Sequence, residues 1–274
     1  ETQRDPLQYF CTLMFLNISR RKSRRPSNHW KMKLVEALVL NYQTNCSTNN
    51  LNFTNTDLHI ELAGRNFTNH IAENVYPGRG IVIGRNHENS WIVIYWIMGR
   101  SSNSKNRIFR YENGILKTEA ADSSQVEDPA LIIYNAMRDV DNWIVVSNGS
   151  HTDTICEGLM QGVSIYTSLY TERHEPDAPN YTPRISGFIE RKESSMILVK
   201  ISKSDFSVEH SEHHFYRYCE IPPGYGYCLT TYMGDGNPLP SFNGDPIMLP
   251  LKGDAEQIAD IYWRGLNSDN RISL

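Results

Sequence analysis

Apolar and polar positions divide this chain into a weakly patterned leader and a body of short, dense apolar runs. The leader, residues 1–60, holds one short apolar-periodic stretch, Met32 to Leu40, and an Asn/Thr-rich tract from Asn41 to Thr56. From Glu61 the pattern sharpens. Apolar runs predict strands at Ile81–Gly84, Trp91–Met98, Arg107–Tyr111, Trp143–Ser147, Ile185–Glu190, Met196–Ile201, His214–Cys219 and Tyr227–Tyr232. The first two are joined by the turn-rich segment Arg85–Asn89 and read as a hairpin. Spacings of three and four predict helices over Glu61–Ala72, Pro129–Val140, Thr152–Tyr170 and Ala255–Leu266. Strands dominate, without regular strand-helix alternation and without an internal repeat.

The sharpest transition is Trp143 to Ile155, where the buried-type run Trp-Ile-Val-Val gives way to Ser147-Asn148-Gly149-Ser150 and then to an amphipathic segment. Gly149 offers positive φ, and Ser150, Thr152 and Thr154 offer N-caps, with Asp153 and Glu157 at capping-box spacing. This predicts a strand, a turn and a helix start. Local pattern favours an ordinary capped turn, and it is also compatible with a helix N-terminus facing an anionic ligand.

Composition narrows the class. The 274 residues are 39% apolar and 11% aromatic, ample for a globular core. Net charge is −4, split unevenly: residues 1–60 carry eight Lys/Arg against four Asp/Glu, and the remainder nineteen against twenty-seven. An acidic body argues against a broad nucleic-acid face. The basic run Ser19–Arg25 makes the leader read as a disordered or non-native extension, ahead of a domain spanning residues 61–274. Cys11, Cys46, Cys156, Cys219 and Cys228 are odd in number and scattered, so reduced thiols are expected, although Cys219 and Cys228 could face each other across a hairpin. Residues Tyr9 to Ile18 are too short to span a bilayer and lack export features, so the sequons at Asn17, Asn45, Asn52, Asn66 and Asn148 read as chance and the location as cytoplasmic.

Single motifs decide little. Gly78-Arg-Gly80-Ile-Val-Ile-Gly84 misses the dinucleotide fingerprint, because it enters a strand instead of leaving one. His210, His213 and His214 split between the two faces of a strand, so no metal triad is expected. Ser147 or Ser150 with His151 and Asp153 suggests a hydrolase triad, but chain neighbours rarely reach that geometry.

Six blocks in order are more specific: Tyr76-Pro-Gly-Arg79-Gly-Ile-Val-Ile-Gly84-Arg85-Asn86; Gly99-Arg100-Ser-Ser to Asn106-Arg107; Asp128-Pro129 with Tyr134-Asn135; Ser147 to Thr154; Asn180-Tyr-Thr182-Pro183-Arg184-Ile185; and Thr231-Tyr232 with Gly236 to Phe242. Together they resemble the archaeal-type inosine monophosphate cyclohydrolases and their bacterial relatives, over roughly residues 61 to 252. The resemblance implies an α+β fold, a four-layered αββα sandwich of the N-terminal-nucleophile hydrolase type. No Ser, Thr or Cys opens the domain, so the amine-terminal nucleophile mechanism is not carried over.

The implied reaction closes 5-formamidoimidazole-4-carboxamide ribonucleotide to inosine monophosphate with loss of water. It implies a small nucleotide as partner, no membrane, and neither metal nor other cofactor; a homo-oligomer is left open. By alignment with the family's catalytic Glu, Arg and Tyr, the expected catalytic residues are Glu175 as acid/base, Arg107 as orienting cation and Tyr134 as hydrogen-bond donor, with Glu172 an alternative to Glu175. Expected substrate contacts are Arg79, Arg85, Asn135, Asn148, Gly149, Asp177 and Arg184. A binding protein of the same fold without turnover, an amidohydrolase for another purine intermediate, and an RNA-associated protein using the basic leader are the remaining readings.

Overall fold

The computed structural model describes residues 55–126 and 133–274. Its strands are β1 (Gly80–Arg85), β2 (Trp91–Met98), β3 (Ile108–Glu112), β4 (Ile115–Glu119), β5 (Tyr134–Val140), β6 (Trp143–Ser147), β7 (Arg184–Glu190), β8 (Ser195–Lys203), β9 (Ser211–Tyr218), β10 (Tyr225–Thr230), β11 (Ile247–Pro250) and β12 (Arg271–Ser273). They form two antiparallel sheets, one of five strands in the order β11-β10-β1-β2-β12 and one of seven, β3 to β9, in sequence order. The fold is therefore mixed α and β with two antiparallel sheets.

Side-chain alternation explains how the sheets meet. Ile81, Ile83, Tyr95, Ile97 and Leu229 of the smaller sheet share one core with Phe109, Ala136, Ile144, Val146, Ile185, Ile189 and Met196 of the larger. The central strands β1 and β7 approach closely at Gly187, where a Cβ would sit 2.5 Å from Ile83 Cδ1. Each outer face carries helices. Val82, Ile94, Trp96 and Met98 pack under Ile258 and Tyr262 of α5 (Ala255–Gly265) and under Ile71. Ile71 lies in a π-helical turn, Thr68–Ala72, that continues α1 (Asn55–Phe67). Between these helices, α2 (Ser102–Lys105) is a single turn after β2. On the larger sheet Val145, Phe188, Ile197 and Val199 pack under α3 (His151–Met160) and α4 (Ile165–Ser168). Among the described residues no helix is long and apolar enough to cross a membrane.

Several expectations need correction. The segment over Pro129–Val140, read as a helix, is strand β5 from Tyr134, and Pro129 to Leu131 and Ile132 lie outside the described residues. Its hairpin with β6 turns on Asp141 (φ 49°) and Asn142, and cross-strand pairing beside a buried sheet outweighs the residual helical spacing. The helix over Thr152–Tyr170 is two helices, because Gly162 at φ 75° terminates α3 after Met160 and Ser164 caps α4 through Thr167 N–H. Strands β4, β11 and β12 escaped the pattern, although Asn113-Gly114, both at positive φ, is a strong hairpin signal between β3 and β4. Cys219 and Cys228 do not face each other across a hairpin: the chain leaves β9 in one sheet for β10 in the other, and both thiols are free. The first helix begins at Asn55, ahead of the expected Glu61; the basic run, the Met32–Leu40 stretch, Cys11, Cys46 and Asp128-Pro129 lie outside the described residues.

Candidate active site

At one end of the space between the sheets, polar side chains replace the apolar core. The chain enters β1 through Gly78-Arg79-Gly80, and packing leaves room for nothing larger on either side of the arginine. Gly78 (φ 72°) would carry a Cβ 2.2 Å from Thr231 Oγ1, and Gly80 one 2.0 Å from the Trp96 ring. Arg79 has the parity of Ile81 and Ile83, so its side chain points between the sheets. There Nη1 donates to the Asn148 carbonyl and Nη2 to Glu175 Oε2, both at 2.8 Å, while its backbone N–H donates to Thr231 Oγ1 at 3.0 Å. Burial opposes the charge, but Glu175, then Tyr134 and Tyr95, more than offset it and hold the guanidinium well above its ordinary pKa.

Glu175 is presented by a loop braced on itself. Its N–H donates to Thr182 O at 2.9 Å, and Asp177 accepts from Thr182 N–H at 2.7 Å and from the Thr182 hydroxyl at 2.5 Å. Thr182 Oγ1 spends its proton on Asp177 and so accepts from Tyr232 Oη. Burial first of all pushes the Tyr232 phenol up to about 12, so it stays a neutral donor.

Tyr134 opens β5 and pairs with Thr118 of β4, just ahead of a register shift between Leu116 and Lys117 that leaves Ala136 without a partner. Thr118 Oγ1 accepts from its N–H and donates to its carbonyl. Its hydroxyl meets that of Tyr95, from the other sheet, at 2.7 Å.

Arg107 is only 8% exposed. Its Nε donates to Ser104 O at 2.8 Å and its Nη2 to Met98 O at 3.3 Å, and among the described residues it makes no ion pair. Burial lowers its pKa, with Arg79 acting in the same direction against Tyr134, Tyr95 and Tyr76. A buried cation facing only carbonyls and phenols is a place for an anion.

Of the residues expected from sequence, Arg79, Arg107, Tyr134 and Glu175 are brought together. Asn148 borders them, but its side chain is committed: Nδ2 donates to Pro183 O and Oδ1 accepts from Ile185 N–H, each at 2.9 Å. Its own N–H is taken by Ile185 O. Asp177 braces the loop. Gly149 has no positive φ; it is small because Arg184 Nη1 lies 3.0 Å from where its Cβ would be. Arg184 also donates to Arg173 O at 2.7 Å and approaches Glu172 at 3.7 Å, so the two candidate glutamates have different arginine partners.

Arg85 and Asn135 are not brought to this cluster. Arg85 ends β1, roughly 20 Å along the strand from Arg79, where it donates to Asn89 O and Ser194 Oγ and covers Trp91. Asn135 follows Tyr134 by one residue and therefore points to the opposite face, donating to the Asp153 carboxylate that also binds Arg138 at 2.8 Å. Ser150 makes no side-chain cap, and with Asp153 so engaged no hydrolase triad forms. No group of His, Cys, Asp and Glu among the described residues could hold a metal ion. Tyr95 escaped the sequence reading because it sits within an uninterrupted apolar run, where its parity with Val93 and Ile97 is the sole signal. Tyr232 and Thr182 lay in the diagnostic blocks without an assigned role.

His151 is a neutral support of this region. A guanidinium only donates, so Nδ1 accepts from Arg184 Nη1 at 3.0 Å and Nε2–H donates to Ser186 Oγ at 3.0 Å. Burial above all, with Arg184 next, holds its pKa well below the ordinary 6.5. The unfolded chain takes up this proton near 6.5 and the folded chain does not. Stability from this group is thus complete above that pH and falls as pH drops below it, by up to about 1.4 kcal/mol per pH unit. His151→Asn is expected to flatten the fall of Tm between pH 7 and pH 5; an unchanged slope would place the proton uptake elsewhere.

The family model described as IMP cyclohydrolase-like protein matches residues 76–274. The chain belongs to this family. It is similar to the IMP cyclohydrolase of Methanocaldococcus jannaschii, 27% identical over 191 residues that cover 68% of this chain and 85% of the relative. It is also similar to that of Methanosphaera stadtmanae, 29% identical over 163 residues covering 58% and 74%, and to that of Methanococcus maripaludis strain S2, 30% identical over 163 residues covering 58% and 75%. The family match begins at Tyr76, so every residue of the IMP cyclohydrolase-like cluster falls inside it.

Proposed function

We propose that this chain is an IMP cyclohydrolase, closing 5-formamidoimidazole-4-carboxamide ribonucleotide to inosine monophosphate with release of water. The observation that carries the reading is the buried Arg107, without a carboxylate partner among the described residues, beside the Arg79–Glu175 pair and the Tyr134 phenol. Ring closure needs a base for the carboxamide N–H, a cation for the formyl oxygen as it becomes an oxyanion, and a donor as that oxygen leaves.

Glu175 takes the proton from the carboxamide nitrogen as that nitrogen bonds to the formyl carbon. Arg107 receives the negative charge on the formyl oxygen. The oxygen takes that proton from Glu175 and a second from the Tyr134 donor and departs as water, while the formamido nitrogen gives up its hydrogen, which restores Tyr134, and forms the new C=N bond. Arg79, 2.8 Å from Oε2, aims the Glu175 carboxylate. Two face-to-face sheets with helices outside support an αββα sandwich of the N-terminal-nucleophile hydrolase type, and a phosphorylated intermediate as substrate supports work in the cytoplasm. Incubation with the formylated ribonucleotide, followed by ultraviolet absorbance, should yield inosine monophosphate; an enzyme that binds the nucleotide without making product would refute the reading.

Arg184 is our candidate for the phosphate, its guanidinium laid across Gly149 and 18% exposed. Charge-assisted bonds to phosphate contribute roughly 1.5–3 kcal/mol. Arg184→Ala should therefore weaken binding of inosine monophosphate by about 10- to 100-fold and leave binding of inosine unchanged. An equal loss for both ligands would make Arg184 structural.

A further inference from the structure

The Tyr95–Tyr134 contact is the place where the two sheets touch through polar atoms inside the candidate site. Tyr95 is 3% exposed and Tyr134 6% exposed, and their oxygens lie 2.7 Å apart. Neither hydroxyl has another hydrogen-bond partner among the described residues. Two buried hydroxyls carry two protons, and one bond between them uses only one. The second proton is left without a protein acceptor, in a region where such a loss is costly. It is available to a bound substrate.

The surroundings decide which phenol keeps that proton. Tyr134 interacts more strongly than Tyr95 with both Arg79 and Arg107. The two guanidiniums therefore favour Tyr134 Oη over Tyr95 Oη as the oxygen that accepts the hydrogen bond. Burial, and then Tyr134 itself, push the Tyr95 phenol well above its ordinary pKa, so Tyr95 retains its proton and donates it.

We infer that Tyr95 is a positioning residue for ring closure: its hydroxyl donates to Tyr134 Oη and turns the remaining Tyr134 proton toward the formyl oxygen that departs as water. This rests on the proposed cyclohydrolase reading. The step balances within the site. The formyl oxygen first takes the proton that Glu175 removed from the carboxamide nitrogen, which frees Glu175; the C–O bond then breaks with its electron pair going to oxygen, which takes the Tyr134 proton and leaves as water. The formamido nitrogen loses its hydrogen as the C=N bond forms, and that proton restores Tyr134. During the transfer the phenolate is stabilised by the Tyr95 hydrogen bond and by the two guanidiniums. Tyr95 reaches across from β2, so the same bond also fixes the separation of the sheets at the site.

The test is Tyr95→Phe in the full chain, with closure of the formylated ribonucleotide measured as kcat, KM and the pH profile of kcat. Removing the donor should lower kcat about tenfold, leave KM within about threefold, and move the alkaline limb of the profile to higher pH, because Tyr134 becomes a weaker acid. The double variant Tyr95→Phe/Tyr134→Phe should be no slower than Tyr134→Phe alone. Unchanged kcat and alkaline limb, or additive losses in the double variant, would overturn the inference while leaving the cyclohydrolase reading intact. Absence of turnover in the unmodified chain would instead overturn that reading. If Tyr95→Phe does not fold, 3-fluorotyrosine at position 95, a stronger donor of nearly the same shape, should shift the alkaline limb to lower pH; no shift would overturn the inference.

Discussion

Arg107→Gln is expected to lower kcat by about 10²–10³ while moving Tm by no more than a few degrees. The size of the first effect follows from the loss of one preorganised donor to a developing oxyanion, which in a water-poor site contributes several kcal/mol. The smallness of the second follows from the position of Arg107 itself. Its guanidinium is buried, faces two carbonyl acceptors, and has no carboxylate partner among the described residues. Removing it abandons bonds to Ser104 O and Met98 O, each worth about 1 kcal/mol. It also relieves an unpaired buried charge, which burial and Arg79 both disfavour. The two terms offset each other. Steady-state kinetics with a thermal melt separate this outcome from a structural arginine, whose loss would lower Tm sharply and kcat only in proportion to the folded fraction.

Glu175→Gln is expected to cost both activity and stability. The amide keeps the shape of the side chain but cannot take the carboxamide proton, so kcat should fall by about 10²–10⁴. It also leaves Arg79 without its 2.8 Å ionic partner. The pair is not fully enclosed, with side chains 13% and 17% exposed, so a loss of about 1–3 kcal/mol is expected, below the range for a completely buried pair. Arg107→Gln and Glu175→Gln thus differ in melting behaviour although both disable turnover. Equal melting temperatures for Glu175→Gln and the unmodified chain would mean that the Arg79 contact contributes nothing to the fold.

Much of the architecture was legible because the buried strands are continuous apolar runs bounded by turns. Trp91–Met98 and Trp143–Ser147 were read with their observed bounds. β5 was not, because its bulge at the β4 pairing breaks the two-residue alternation and leaves spacings that mimic a helix. The sheet change between Cys219 and Cys228 was invisible for a different reason: a turn rich in proline and glycine looks the same whether it joins two strands of one sheet or of two.

At the site, local sequence named polar residues without saying which face they occupy. Asn135 follows Tyr134 directly and so cannot share its face on a strand; read as a helix, the two seemed neighbours. Arg85 belongs to the same diagnostic block as Arg79, yet an extended strand carries it to the far end of the sheet. The cluster depends on contacts between residues far apart in sequence, such as Arg79 with Glu175 and Tyr95 with Tyr134, and periodicity cannot report those.

In the proposed reaction Glu175, paired with Arg79, is the base that starts ring closure. Glu172, three residues earlier, approaches Arg184 instead. Turnover of the formylated ribonucleotide by the unmodified chain, Glu172→Gln and Glu175→Gln, compared as kcat at saturating substrate, tests this most directly. The prediction is inosine monophosphate formation by the first two at similar kcat and a loss of at least about a hundredfold in the third. Near-normal kcat in Glu175→Gln, or collapse in Glu172→Gln alone, would contradict it.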